Sequence, residues 1–125
     1  MTVLVDTSVI IDYLPGNHDA ERVLEEARMD APLHASEITR LEVLARMRTV
    51  EESATRALLS IFIWHPLDTL ISERAGELGR KSLSSHHSID SADLAIAATA
   101  VVTGYELLTC NVKHFPMFDG LKKPY

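Results

Sequence analysis

Val3-Leu4-Val5-Asp6-Thr7-Ser8 is a short apolar segment that ends in a carboxylate. The apolar part predicts a buried strand of a parallel sheet, because strands covered by helices on both faces are apolar along their whole length. In open α/β sheets, ligands bind in the crevice outside the carboxyl ends of the strands. We therefore expect Asp6 at the ligand-binding edge of the sheet. Thr7 or Ser8 can cap the helix that follows.

Short apolar segments alternate with longer amphipathic segments along the rest of the chain. This alternation predicts right-handed crossovers and an α/β fold, with a mainly parallel sheet covered by helices on both faces. We expect a loop at residues 84–88, with Ser88 as the cap of the last helix. An irregular segment is expected at residues 111–118, and a short edge strand at residues 121–123. Strands are predicted at residues 2–6, 33–35, 61–64 and 106–109, and helices at residues 8–14, 17–29, 37–49, 51–60, 69–83 and 89–104.

Length and composition indicate a single domain without a membrane segment. The chain has 125 residues, of which 46% are hydrophobic, so one domain spanning residues 1–125 is expected. No apolar run approaches the ~18 residues of a membrane span, and we expect a cytoplasmic protein. The single Cys110 excludes an internal disulfide. The net charge of −6 argues against a general nucleic-acid coat protein, although a cation held by clustered acids would reverse the potential where a phosphate binds.

Two further acids could join Asp6 at the edge of the sheet. Glu42 lies one turn after Thr39 in a predicted helix, and Asp93 lies early in a nearly continuous apolar helix. An aspartate rarely approaches a core unless a partner compensates its charge. Three converging carboxylates would suit Mg²⁺ or Mn²⁺, which bind phosphates and activate water for phosphodiester hydrolysis.

Four ordered segments of the chain resemble the successive motifs of PIN-domain nucleases. They are Leu4–Ile11, Ser36-x-x-Thr39-x-x-Glu42, Ala92–Ala100 and Leu108–Phe115. The length and the closing Pro124-Tyr125 resemble the VapC-type toxins within that group. The resemblance covers essentially the whole chain. It implies a PIN-like α/β/α sandwich and a metal-dependent endoribonuclease paired with a VapB-type antitoxin.

The resemblance also assigns roles to individual residues. By position, Asp6, Glu42 and Asp93 match the family's metal-binding acids, with Mg²⁺ or Mn²⁺ as the cofactor. Asn111 falls where many PIN domains carry a fourth acid. Because a neutral amide is a weaker ligand than a carboxylate, the resemblance leaves open whether one or two ions bind.

Each candidate acid also has a purely structural interpretation. Asp6 could serve only as a helix cap, and Glu42 could form a surface ion pair with Arg46, four positions later. Asp90 is an alternative to Asp93 as the acid of the site. An acid in the first turn of a helix is, however, favoured by the helix dipole even when it has no function. The motif match favours Asp93 for the site and leaves Asp90 as a cap or as a supporting residue.

Other polar residues near the motifs are candidates for support of the site. Ser8, Thr39 and Thr109 could donate hydrogen bonds to a ligand carboxylate or to a phosphate, or could simply cap. His114 and Phe115 are expected to pack and not to take part in catalysis.

Arg46 is the candidate for contact with RNA. It shares a helix face with Glu42, whereas Arg40 points away from that face. The same residues fit two other functions, a catalytically idle binding module and a DNA nuclease of the same fold, since no element reads the 2′-hydroxyl. The apolar faces at residues 20–27 and 43–47 predict a homodimer and a groove for the antitoxin.

Overall fold

The computed structural model of the protein describes residues 1–82 and 89–125, so the predicted loop at residues 84–88 lies outside the described part. Within the described part the chain forms four strands, six α-helices and two single turns of 3₁₀-helix, at Thr49–Glu51 and Val112–His114. The strands and helices are, in chain order, β1 (Val3–Val5), α1 (Thr7–Tyr13), α2 (His18–Asp30), β2 (Leu33–Ser36), α3 (Glu37–Arg46), α4 (Glu52–Leu59), β3 (Phe62–His65), α5 (Thr69–Ser82), α6 (Ser91–Thr103) and β4 (Glu106–Leu108).

The four strands pair in parallel in the order β3-β2-β1-β4, which confirms the predicted parallel sheet. Leu4 of β1 lies opposite His34 on one side and Leu107 on the other. Every residue of β1 and β2 is buried, because helices cover both faces of these central strands. The carboxyl ends of the strands therefore meet at one edge, where Asp6 follows β1.

Alternate residues of β1 enter two separate hydrophobic cores. Val3 and Val5 pack on one face of the sheet with residues of α1, α2 and α4, while Leu4 packs on the other face with residues of α6. Burial of each large aliphatic side chain contributes about 1.5–3 kcal/mol to folding. The two cores define the α/β/α sandwich that was predicted.

Two helix caps differ from the predictions. Asp6 itself caps α1, because its carboxylate accepts the amide hydrogen of Ser8; neither Thr7 nor Ser8 is the cap. Helix α6 begins at Ser91 and its cap is Asp90, not Ser88, since the Asp90 carboxylate accepts the Asp93 amide at 2.9 Å. The cap of α1 is thus the candidate acid Asp6, and the cap of α6 lies three positions before the candidate acid Asp93.

Two predicted segments are shorter or absent. Helix α3 ends at Arg46 instead of residue 49, because a separate 3₁₀ turn begins at Thr49. The Glu51 carboxylate stabilises the start of that turn by accepting the Arg48 amide at 2.8 Å. Residues 121–123 do not form the expected strand. Gly120 turns the chain with a φ of 73°, and Pro124 has no amide hydrogen for a ladder.

The apolar helix faces that predicted a dimer are used inside the fold. Ala20, Leu24 and Val43 are at most 3% exposed and belong to the cores. No helix within residues 1–82 and 89–125 combines the length and the hydropathy that a membrane span requires.

Candidate active site

Asp6 is held by hydroxyl groups at the carboxyl edge of the sheet. Its Oδ2 accepts hydrogen bonds from Ser8 Oγ and from Thr109 Oγ1, both at 2.7 Å. The residue is only 3% exposed, and Oδ1 accepts no hydrogen bond from the described residues. The carboxylate is therefore fixed through one oxygen while the other remains available to a ligand.

The segment after β4 is tied to the start of α1. Cys110 N donates to Ser8 Oγ at 3.1 Å, and Asn111 N donates to Thr109 Oγ1 at 3.0 Å. Both hydroxyl groups that donate to Asp6 thus accept backbone hydrogen bonds themselves. Such supporting contacts hold a carboxylate in one orientation.

Glu42 is positioned by two threonines. Thr7 Oγ1 donates to Glu42 Oε1 at 2.7 Å, and the hydroxyl oxygens of Thr7 and Thr39 lie 3.0 Å apart. Thr39 is fully buried one turn before Glu42, so it supports the site from behind and does not face solvent. The second carboxylate oxygen of Glu42 accepts no hydrogen bond within residues 1–82 and 89–125.

Asp93 is the acid whose ionisation the fold disfavours. Its Oδ2 accepts the Asp90 amide at 3.2 Å and lies 3.3 Å from His114 Nδ1. Burial raises the pKa of Asp93 to about 6, and the charges of Asp90 and Asp6 add to this rise, whereas the Asp90 amide and His114 oppose it. Because the charge of Asp6 helps to raise the pKa of Asp93, the two carboxylates interact electrostatically across the site.

These residues surround one cavity of about 270 Å³ at the carboxyl edge of the sheet, here called the acidic pocket. The structure places six of the predicted site residues in its wall, while Thr39 and Thr109 lie buried behind it. Five carboxylates face two basic side chains, so the pocket is strongly negative. The wall is formed by Asp6, Thr7, Ser8, Ile11, Asp12, Glu42, Arg46, Asp90, Asp93, Asn111 and His114.

The donor set suits a hydrated divalent cation. Asp6, Glu42 and Asp93 each keep one carboxylate oxygen without a hydrogen bond from the described residues. No three His, Cys, Asp or Glu side chains in residues 1–82 and 89–125 converge tightly enough to enclose an ion. Mg²⁺ retains several waters and binds directly to one or two carboxylates, so an open pocket of this kind fits its chemistry.

Arg46 and Arg40 occupy different environments on α3. Arg46 lines the acidic pocket and forms no ion pair with any described residue, Glu42 included. Arg40 instead donates to both oxygens of Glu37, at 2.5 and 3.3 Å, and its guanidinium lies 4.2 Å from the centre of the Trp64 ring. Of these two arginines, Arg46 therefore borders the acidic pocket and Arg40 does not.

Five residues of the wall were not among the predicted site residues: Thr7, Ile11, Asp12, His114, and Asp90, which was expected only as a cap or a supporting residue. Asp12 could have been found, because it lies four positions after Ser8 and therefore on the same face of α1. Its Oδ2 accepts the Tyr125 hydroxyl at 2.6 Å. His114 was expected to pack, yet it borders the pocket beside Asp93, whereas Phe115 is buried as expected.

The fold and the pocket define an α/β protein with a carboxylate site at the carboxyl edge of a parallel sheet. The sequence model of the PIN domain matches residues 3–119. The chain belongs to the PIN-domain family, which confirms the resemblance seen in its motifs.

Named relatives narrow the comparison within the family. Ribonuclease VapC19 of Mycobacterium tuberculosis is 42% identical over 123 residues, which cover 98% of this chain and 98% of that protein. Ribonuclease VapC10 of the same organism is also 42% identical over 123 residues, covering 98% and 92%. A solved toxin-antitoxin complex from Klebsiella pneumoniae contains a chain that is 31% identical, with a TM-score of 0.83 over 99% of this chain and 98% of that one.

Proposed function

We propose that this protein is a metal-dependent endoribonuclease and the toxin of a VapBC-type toxin–antitoxin module. It hydrolyses RNA phosphodiester bonds with Mg²⁺ or Mn²⁺ held by Asp6, Glu42 and Asp93. The observation that carries the proposal is the presence of three buried or half-buried carboxylates around one pocket, each with an oxygen free for a ligand. The 42% identity to proteins named ribonucleases supports RNA as the substrate.

The side chains of the pocket have different roles in binding the metal, orienting its ligands and contacting RNA. A divalent ion held by Asp6, Glu42 and Asp93 would polarise a phosphoryl oxygen and lower the pKa of an attacking water. Thr109 and Ser8 orient Asp6, and Thr7 orients Glu42, so that their free oxygens face the pocket before a ligand arrives. Arg46 lines the same pocket and supplies a positive charge for the RNA backbone. Asn111 borders the same pocket as a neutral oxygen donor.

Cleavage of a mixed RNA pool tests the proposal. Wild-type protein with Mg²⁺ or Mn²⁺ should cleave the pool, and EDTA should abolish cleavage. Asp6→Asn and Asp93→Asn should lose at least a hundredfold in rate and remain folded. Asp68→Asn is the matched control, because the Asp68 carboxylate also accepts a backbone amide at the start of a helix but lies outside the pocket.

The other outcomes separate the alternative functions. Cleavage that is unaffected by EDTA, or by Asp6→Asn and Asp93→Asn together, would contradict the metal site. A DNA pool of matching sequence that is cleaved faster than RNA would indicate a DNA nuclease. A protein that cleaves neither pool but binds its antitoxin would be an idle binding module.

The antitoxin is the second proposed partner. A chain 31% identical to this one was solved in a toxin-antitoxin complex, which supports a similar assembly here. An Arg or Lys of the antitoxin could pair with Asp6, Glu42 or Asp93 in place of the metal, since charge-assisted hydrogen bonds to carboxylates are strong. Mn²⁺ affinity should then be lower in the purified complex than in the free protein. Equal Mn²⁺ affinity in both would contradict occupation of the pocket.

We also expect a homodimer, formed through a surface other than the one predicted. Ile63 lies on the edge strand β3, Leu67 follows that strand, and Leu70 lies in α5; all three are 42–58% exposed and lie within eight positions of each other in the chain. Sedimentation at micromolar concentration should show a dimer that Leu70→Glu dissociates. Met29→Glu, which changes a more exposed apolar residue on α2, should leave it intact. A wild-type monomer would contradict the expectation.

A further inference from the structure

Asp12 of α1 is a wall carboxylate of the acidic pocket that has no role in the proposed function. It lies one turn after Ser8, on the face of α1 that borders the pocket. Its Oδ2 accepts the Tyr125 hydroxyl at 2.6 Å, while its Oδ1 accepts no hydrogen bond from the described residues. No basic side chain within residues 1–82 and 89–125 forms an ion pair with Asp12. Its negative charge is therefore not compensated by the part of the chain that the structure describes.

Asp12 is held in the same way as two of the proposed metal ligands. Hydroxyl groups donate to one oxygen of Asp6 and to one oxygen of Glu42 at 2.7 Å, as the Tyr125 hydroxyl does to Asp12. A hydroxyl group orients a carboxylate without adding a positive charge, whereas Lys or Arg would add one. Burial and the hydrogen bond to Asp12 raise the pKa of Tyr125, so its hydroxyl keeps its proton at neutral pH. Asp12 is thus oriented while its charge is kept for a cation.

Asp12 lies on the side of the pocket where Asn111 offers only a neutral oxygen. The neighbouring Cys110 contacts the same face of α1. Its amide donates to Ser8 Oγ at 3.1 Å, and its sulfur lies 3.9 Å from Asp12 Oδ2. Asn111 and Asp12 both line the pocket. A carboxylate at position 12 can therefore supply the charge that the residue at position 111 lacks.

The other charged side chains of the wall have different partners or positions. Asp90 Oδ1 accepts the Asp93 amide, and His114 Nδ1 lies 3.3 Å from Asp93 Oδ2, so both belong to the side of the pocket formed by the start of α6. Arg46 lies on α3 and forms no ion pair with Asp12. None of these three side chains replaces Asp12 or neutralises it.

We propose that Asp12 is a fourth carboxylate of the metal site, which holds the divalent ion through a water of its hydration shell, with Tyr125 as its positioning residue. The proposal rests on the proposed metal-dependent function and adds a residue to it. A contact through water fits the pocket, because within residues 1–82 and 89–125 no three metal-binding side chains converge tightly enough to enclose an ion. Mg²⁺ keeps several of its waters when it binds proteins.

Mn²⁺ binding to the RNA-free protein tests the role of Asp12. The free ion is measured by its electron paramagnetic resonance signal during a titration to millimolar concentration. Asp12→Asn should weaken Mn²⁺ binding about tenfold, as expected for the loss of a group that supports a metal from beyond its direct ligands. Tyr125→Phe keeps every charge of the pocket and should still weaken binding several-fold, because Asp12 loses its orientation. Asp19→Asn removes the same charge from an exposed position of α2 and should change nothing, and Tyr13→Phe is the matching control for Tyr125→Phe.

A second substitution separates a metal-binding role of Asp12 from a structural one. Asn111→Asp places a carboxylate on the same side of the pocket. In the Asp12→Asn background it should restore most of the tenfold loss. In the wild-type background it should strengthen Mn²⁺ binding at most about threefold, because Asp12 already supplies the charge. An equal gain in both backgrounds would show that the two positions act independently and would overturn the proposal.

Folding is checked separately by melting in EDTA. The amide oxygen of Asp12→Asn can still accept the Tyr125 hydroxyl, so this variant should melt close to the wild type. If it does not fold, Tyr125→Phe decides alone, and unchanged Mn²⁺ affinity in that variant would overturn the proposal.

The remaining outcomes separate this proposal from the ribonuclease function itself. Wild-type protein that binds Mn²⁺ and cleaves RNA, with Asp12→Asn unchanged in Mn²⁺ affinity, would overturn the role of Asp12 and leave the ribonuclease function standing. A loss in Asp12→Asn that Tyr125→Phe does not share would show that Asp12 acts only by its charge at a distance, which also overturns the proposal. Wild-type protein that neither binds Mn²⁺ nor cleaves RNA would overturn both.

Discussion

Asp93→Asn should stabilise the metal-free protein at neutral and alkaline pH. The folded protein raises the pKa of Asp93 to about 6 from an ordinary value of 3.8, chiefly through burial. Because each unit of pKa corresponds to about 1.36 kcal/mol, ionised Asp93 reduces the free energy of unfolding by about 3 kcal/mol at pH 8. Asparagine removes that charge, while its side-chain oxygen can still accept the Asp90 amide that now bonds to Asp93.

The pH dependence follows from the direction of the pKa shift. Below pH 3.8 the carboxyl group is protonated in the folded and unfolded states, and Asp93 has no electrostatic cost. As the pH rises towards 6, the unfolded state ionises first and the folded state loses stability. Above pH 6 the full cost is present. The advantage of Asp93→Asn should therefore be about 3 kcal/mol at pH 8 and less than about 1 kcal/mol at pH 4.

Urea unfolding in EDTA at pH 4 and pH 8 measures both values. For a domain of this size, about 3 kcal/mol corresponds to a rise of roughly 10 °C in melting temperature. Asp68→Asn is the control, because Asp68 is likewise an aspartate at the start of a helix whose carboxylate accepts a backbone amide, and its replacement should change stability by less than about 1 kcal/mol at either pH. An Asp93→Asn protein that is no more stable than wild type at pH 8, or equally stabilised at both pH values, would refute the reasoning and make Asp93 a structural acid.

Two further predictions concern the groups around the acids. Thr109→Val should weaken Mn²⁺ binding several-fold, measured by calorimetry, because Asp6 loses one of its two hydroxyl donors; unchanged affinity would show that Ser8 alone orients it. Arg46→Ala should raise KM for RNA about tenfold and flatten its salt dependence with metal affinity kept, whereas Arg40→Ala, whose partner is Glu37, should change neither. Equal effects of the two Arg substitutions on KM would contradict the special position of Arg46.

The sheet and the order of its elements could be predicted from local patterns. The segment Val3–Val5 is apolar at every position, and in the structure its residues enter cores on both faces. The cap of α6 was assigned to Ser88, with Asp90 named only as a cap or supporting residue, although the signal for Asp90 is local. Asp90 and Asp93 lie three positions apart, and each carboxylate accepts the other's amide in a reciprocal capping box. That spacing predicts a helix that begins directly after Asp90.

Contacts between distant parts of the chain could not be read from the sequence. Thr7 is 35 positions from Glu42, and nothing in either local pattern predicts the 2.7 Å hydrogen bond between them. The Tyr125 hydroxyl reaches Asp12 across 113 positions. These contacts depend on how α1, α3 and the end of the chain pack, which is decided by tertiary structure. The roles of the predicted acids therefore rest on geometry that only the fold supplies.

The acidic pocket links the proposed metal and the proposed antitoxin through one physical cause. Five carboxylates on a chain of net charge −6 repel one another, and the raised pKa of Asp93 records part of that repulsion. Any cation that binds the folded protein and not the unfolded chain relieves the repulsion and stabilises the fold by mass action. A divalent ion and a basic side chain would compete for the same carboxylates, because each reduces their mutual repulsion. An inhibitor that supplies its own positive charge would therefore displace the ion without deforming the site. Neutral Asp93→Asn should weaken both ligands together, because it removes the charge that both of them recognise.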